Sequence, residues 1–140
     1  MKAIRIMALI TLGFLGVTSL IGGIPLILAP SGRLLHMPLS LLAHSPFHNF
    51  LIPGILLTGS CGLLCAWIFA EALRRSPGYG NLIVLQGFAI AEWITAEVVL
   101  IQAVVWAHYV YWAVGLILIV CGLVLRRDCR MAEPVLVATR

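Results

Sequence analysis

The stretch from residue 82 to residue 125 contains 44 residues and only two charged side chains, Glu92 and Glu97. A helix that crosses the ~30 Å hydrocarbon layer of a membrane needs about 20 apolar residues. The stretch is therefore too long for one crossing and has the length of two crossings joined by a tight turn. We predict this turn at residues 102–108, where polar and aromatic side chains cluster, because Trp and Tyr favour membrane interfaces.

The composition of the whole chain agrees with a membrane protein. Of its 140 residues, 62% are apolar and 10% are charged, whereas soluble domains have roughly 45–50% apolar and about 25% charged residues. Soluble enzymes, disordered tails and coiled coils are excluded, and residues 1–140 are predicted to form a single membrane domain. No catalytic constellation is recognisable, so no enzyme class and no cofactor is favoured.

Four apolar runs predict an all-α bundle of four transmembrane helices that run up-down-up-down. The predicted helices cover residues 6–29, 50–73, 82–103 and 106–125. The first run exceeds the 7–15 apolar residues of a signal peptide core and lacks a small-residue cleavage pattern, so we interpret it as a membrane helix. Residues 126–140 form a polar, basic tail.

The basic residues orient the bundle. Eight of nine fall on one side of the predicted membrane: Lys2, Arg5, Arg74, Arg75, Arg126, Arg127, Arg130 and Arg140. Only Arg33 falls on the other side, and this strong positive-inside bias predicts that both termini are cytoplasmic and that the first loop, residues 30–49, is outside. The predicted location is the plasma (inner) membrane of a bacterium. Because the positive charges mark helix ends, nucleic acid is not expected as a partner.

The first loop is unusually apolar for an exposed segment. Pro38 suits the first turn of a helix, and Ser45-Pro46 suits its end, so a short interfacial helix is predicted near residues 38–44. Gly22-Gly23 and Pro25 also predict irregular backbone near the end of the first helix, opposite Pro53-Gly54. The loop either packs over the helix ends or acts as a lid over a cavity that opens outward.

These residues resemble the signature of a family of small, uncharacterised four-helix bacterial membrane proteins. The matching motifs are Gly22-Gly23, Pro30-Ser31-Gly32, Pro38-Leu39-Ser40-Leu41-Leu42, Ser45-Pro46-Phe47 and Phe50-Leu51-Ile52-Pro53-Gly54. The chain departs from the family pattern where Glu97 and His108 stand in place of glutamines. The resemblance implies a four-helix fold and a shared outer-facing patch, and it implies no biochemical activity.

The two glutamates are expected to have different roles. Glu92 lies about 16 Å from the cytoplasmic start of its helix, so we predict a buried contact in which its protonated carboxyl bonds to another helix, with Ser19, Thr58 or Ser60 as the partner. Glu97 lies nearer the outer face and is predicted to anchor a ligand. The complete predicted ligand site is Glu97, Trp93, Gln86, Gln102, Trp106, His108, Tyr111, Phe47 and Phe50.

A metal or haem site is a weaker hypothesis. The candidate ligands are His36, His44, His48 and His108, all on the predicted outer side. Their spacing matches no compact metal-binding motif, so no metal is favoured. Cys61 and Cys65 share a helix face and are interpreted as buried, unreactive thiols.

Three functions therefore remain open from the sequence. The first is binding of a small or lipid-like ligand in a cavity under the first loop, as a carrier or receptor component. The second is a structural or accessory subunit that packs against another membrane protein, in a homo-oligomer or a larger complex within the lipid bilayer. The third is a metal or haem carrier.

Overall fold

The computed structural model describes the backbone of residues 1–137 and the side chains of residues 1–127. It contains four long helices, α1 (Lys2–Leu28), α2 (Leu51–Arg74), α3 (Tyr79–Ile101) and α4 (Trp106–Val137), and no strand within that part of the chain. Each helix is long and apolar enough to cross a membrane. The predicted four-helix class is confirmed. The last helix continues past residue 125 into the predicted tail, whose residues 138–140 lie outside the described residues.

The helices form a closed bundle. α1 packs against α2 and α4, and α3 also packs against α2 and α4, so neighbours in sequence are neighbours in space. The core contains the fully buried side chains of Leu12, Leu15, Ile68, Ile83 and Leu118. The outside of the bundle is also apolar, which is the surface expected of helices that face lipid.

Four glycines bring α3 and α4 into direct backbone contact. Gly87 faces Gly115, and Gly80 faces Gly122 further along the same antiparallel interface. A Cβ atom added to Gly87 would lie 2.7 Å from the carbonyl oxygen of Gly115. Small residues permit this close approach, and in a membrane it supplies the van der Waals packing that holds helices together.

The middle of α2 is a π-helical segment, Leu57–Leu63. The backbone N–H of Leu64 donates to the carbonyl of Gly59, five residues back, instead of to Ser60. The side chain of Gln86 on α3 takes up the freed acceptor, since its Nε2 lies 3.1 Å from the Ser60 oxygen. The irregular backbone therefore lies in α2, whereas α1 stays helical through Pro25 to Leu28.

The first loop is folded against the helix ends. It contains two single 3₁₀ turns, Arg33–Leu35 and Leu39–Leu42, so the short helix predicted at residues 38–44 is one 3₁₀ turn. The loop is closed by the N–H of Phe50, which donates to Pro30 O at 2.9 Å. Gly32 has a φ of 77°, and a side chain there would collide with Met37 O, so this turn requires glycine.

Candidate functional site

A cavity of about 410 Å³ lies between α2 and α3, directly under the first loop. We call it the loop cavity. Its roof consists of Met37, Leu42 and Phe47 from the loop and Phe50 at the start of α2. Leu42 and Phe50 are buried against Leu26 of α1, so the roof is a small hydrophobic core of its own. Leu42, Phe47 and Phe50 belong to the sequence motifs described above, so these motifs contribute to the roof.

One face of α3 forms a wall of the loop cavity. Ala89, Trp93, Ala96 and Leu100 recur at helical spacing along this wall, with Glu92 beside them. The two alanines leave space that longer side chains would fill. The small residues of α3 therefore shape the cavity wall.

The loop cavity opens on the flank of the bundle. Glu92 and Ala96 on α3 and Leu56 on α2 line it and are exposed, whereas the roof residues are buried or half-buried. The opening therefore lies between two helices, at the depth of their apolar surfaces.

Glu97 and Trp93 separate the loop cavity from a second, smaller cavity. This hairpin cavity has a volume of about 200 Å³ and lies between α1, α3 and the start of α4. Its lining includes Ser19, His108 and Tyr111 together with Glu97 and Trp93. Six residues of the predicted ligand site thus line one or both cavities: Phe47, Phe50, Trp93, Glu97, His108 and Tyr111.

His108 holds the start of α4 as well as lining the hairpin cavity. Its Nδ1 accepts a hydrogen bond from the backbone N–H of Val105 at 3.0 Å. This is the contact that Glu or Gln makes in a capping box, where the third helical residue satisfies a donor at the helix start. Because Nδ1 is an acceptor, the proton of the neutral ring is on Nε2. His108 is also close enough to interact electrostatically with Glu97.

The structure does not bring the other three predicted ligand residues into either cavity. Gln86 is fully buried and bonds to Ser60, Gln102 ends α3 in a left-handed conformation with a φ of 54°, and Trp106 is 78% exposed. Gln86 does share the helix face of Glu97. However, the two residues are eleven positions apart, about 16 Å along the helix axis. Helical periodicity therefore predicts that they share a face, and it does not place them at the same depth in the bundle.

Glu92 is exposed, contrary to the predicted buried contact. Within the described part of the chain its carboxyl makes no hydrogen bond or ion pair. The expected partner Ser60 instead donates its hydroxyl to Leu56 O at 2.6 Å. No neighbouring helix of this chain covers the face of α3 on which Glu92 lies, and a small-residue pattern alone cannot reveal whether a face is covered.

The histidines are not gathered at one place. His36, His44 and His48 are exposed on the first loop, whereas His108 is buried at the start of α4. Among the residues whose side chains are described, no group of three or more His, Cys, Asp or Glu could hold a metal ion. Cys61 and Cys65 are fully buried, and the Cys65 thiol donates to Leu12 O at 3.2 Å.

Sequence reasoning missed three kinds of cavity residue. The first kind is the roof residues Met37 and Leu42, whose signal was the apolar character of the loop. The second is the pair Ala89 and Ala96, whose signal was their small size on the face of α3 that also contains Glu92. The third is Ser60, which the π segment of α2 places on the cavity wall.

The resemblance to small four-helix bacterial proteins stays a prediction, because no protein-family model, no curated protein and no solved structure matches the chain.

Proposed function

We propose that this multi-pass membrane protein binds a small or lipid-like ligand in the loop cavity, as a carrier or receptor component. The observation that carries the proposal is the cavity itself. Its volume of about 410 Å³ falls in the roughly 300–1,000 Å³ range of ligand pockets. Such pockets combine apolar walls with a few polar groups that orient the ligand, and here Glu92, Glu97 and Ser60 are the polar groups.

The direction of the bundle is part of this proposal. We place the loop end outside and both termini in the cytoplasm of a bacterium, on the basis of the basic residues described above. The loop cavity then lies in the outer half of the plasma (inner) membrane. Because its opening lies between α2 and α3, a ligand would enter from the lipid layer, which favours a molecule that partitions into membranes.

The test is to fill the loop cavity without disturbing the core. Ala96 lines the cavity and is exposed, so Ala96→Phe adds a ring at the cavity wall without replacing a buried side chain. Val99→Phe is the matched control, because Val99 is 65% exposed and does not line the loop cavity. The protein is purified in mild detergent, and co-purified small molecules and lipids are identified by mass spectrometry.

We expect about one co-purified molecule per protein in the parent and in Val99→Phe. This molecule should be absent from Ala96→Phe. Glu97→Gln should retain the molecule better than Glu97→Leu, because Gln keeps hydrogen-bonding capacity at the same shape. Equal occupancy in the parent and Ala96→Phe would contradict ligand binding in this cavity.

One observation favours a second function, that of an accessory subunit. Glu92 is exposed near the middle of α3 and lines a shallow groove together with Phe88, Ala91, Thr95, Ala96 and Val99. A carboxylate at the bilayer centre costs about 2.5–3.5 kcal/mol on insertion scales, so such groups find partners. A helix of another membrane protein that offers a hydrogen-bond donor would fit this face. In that case Glu92→Leu would lose a co-purified protein, and Ala96→Phe would displace no small molecule from the loop cavity.

A further inference from the structure

The ionisable groups that line the loop cavity are all acidic. Glu92 and Glu97 contribute to its lining, and among the described lining residues there is no Lys, Arg or His. The basic residue on the first loop, Arg33, is exposed and does not line the cavity. An anionic headgroup would therefore meet two carboxyls and no positive charge.

The two carboxyls occupy different parts of the loop cavity. Glu92 is exposed at the opening on the flank of α3, whereas Glu97 is half-buried at the inner wall. They are five residues apart, about 7.5 Å along the helix axis. This separation along the axis places one carboxyl at the opening and the other at the inner wall.

The neutral groups of the loop cavity also favour a cation. The hydroxyl of Ser60 already donates to Leu56 O at 2.6 Å, so it offers an acceptor and no free proton. Three aromatic side chains, Trp93, Phe47 and Phe50, line the same space. The faces of aromatic rings attract cations, most strongly for Trp and in desolvated sites.

Resting on the proposed function, we infer that the loop cavity selects a lipophilic organic cation, of the quaternary ammonium or aryl phosphonium class. Glu92 attracts the cation at the opening between α2 and α3. Glu97 and the ring of Trp93 then hold its charge at the inner wall, and the apolar roof and walls cover its hydrocarbon groups. An anion of the same shape is repelled by both carboxyls, and a neutral molecule supplies no counter-charge to either of them.

A pair of ions with the same shape and opposite charge tests this inference. Tetraphenylphosphonium is the cation and tetraphenylborate is the anion, and binding of each to the purified full-length protein is measured by equilibrium dialysis against matched empty micelles. The variants are Glu97→Gln, Glu92→Gln, the cavity-filling Ala96→Phe and the surface control Val99→Phe. Circular dichroism and gel filtration show that each variant is folded.

We expect saturable binding of tetraphenylphosphonium to the parent and to Val99→Phe, and none to Ala96→Phe. Glu97→Gln should weaken binding by about tenfold to a hundredfold, the range for losing a contact with a charged group. Glu92→Gln should weaken binding less, because its carboxyl is exposed. Tetraphenylborate should bind the parent no better than it binds Ala96→Phe.

The outcomes separate this inference from the proposed function. Binding of tetraphenylborate as strong as that of tetraphenylphosphonium, or failure of the cation to bind, would overturn the selection of cations. The selection of cations would also be overturned if Ala96→Phe abolished cation binding while Glu97→Gln and Glu92→Gln left it unchanged. The proposed function itself fails only if the co-purified molecule is also indifferent to Ala96→Phe.

Discussion

The close contact between α3 and α4 predicts how strongly one added methyl group, in Gly87→Ala, destabilises the bundle. In Gly87→Ala the new Cβ would lie 2.7 Å from Gly115 O, 2.7 Å from Ile119 Cγ1 and 2.9 Å from Ile119 N. Two of these three atoms belong to the backbone of α4, so no rotation of a side chain can relieve the collision. Reaching the 3.4 Å of an ordinary contact requires the helices to separate by about 0.7 Å at this point.

Such a separation affects more than one contact. The pair formed by Gly80 and Gly122 lies on the same interface and loses its close approach when the helices move apart. Overpacking of this kind costs about 1–3 kcal/mol, and we expect Gly87→Ala to fall in the upper half of that range because the colliding atoms are backbone. In contrast, Gly59→Ala is the matched control, since nothing lies within 4 Å of a Cβ added there.

The assay is reversible unfolding in mixed micelles, in which the fraction of SDS is raised and helix content is followed by circular dichroism. Gly87→Ala should unfold at a lower SDS fraction than the parent, and Gly59→Ala should unfold at the parent's fraction or above it. If Gly87→Ala and Gly59→Ala unfold at the same SDS fraction, the close backbone contact between α3 and α4 does not stabilise the fold.

Three further predictions concern local structure and orientation. In the same assay Gln86→Leu should destabilise the bundle by about 1–2 kcal/mol, because Ser60 O loses its interhelical donor; unfolding at the parent's SDS fraction would show that this bond is dispensable. His108→Ala should destabilise by about 0.5–2 kcal/mol through loss of the bond from Val105 N–H, whereas His108→Gln should retain most of the stability; equal losses in both variants would contradict the capping role. In a variant without native cysteines, Arg33→Cys should react with an impermeant thiol reagent added outside cells and Ser76→Cys should not; the reverse pattern would invert the proposed orientation.

The fold could be predicted from the sequence because length and hydropathy leave few alternatives. Apolar runs that match the membrane thickness predict helices, and the long run from residue 82 to residue 125 predicts two. The π segment at Leu57–Leu63 had no comparable signal, because the carbonyl that it frees at Ser60 is bonded by Gln86, which is 26 residues further along the sequence. Local sequence patterns predict a helix and its faces, but they do not predict a hydrogen bond that another helix donates.

The candidate site could be predicted in part for the same reason. Phe47, Phe50, Trp93 and Glu97 lie around the loop cavity because each stands at the loop end of its helix or in the loop itself. Glu92 was expected to be buried, since a carboxyl in an apolar helix requires a partner. Both α2 and α3 have small residues on several faces, so the sequence does not identify the faces that pack together. The exposure of Glu92 follows from how α2 packs against α3.

The π segment of α2 divides one helix into two registers. A π turn holds about one residue more than an α turn, so side chains beyond it are rotated by roughly 100° relative to an uninterrupted helix. Before the segment, Pro53 and Leu56 face the loop cavity; after it, Cys65 and Ile68 face the core. A version of α2 shortened by one residue here would have to turn one of these halves away from its neighbours. A single extra residue thus allows a continuous membrane helix to be a cavity wall at one end and a core element at the other.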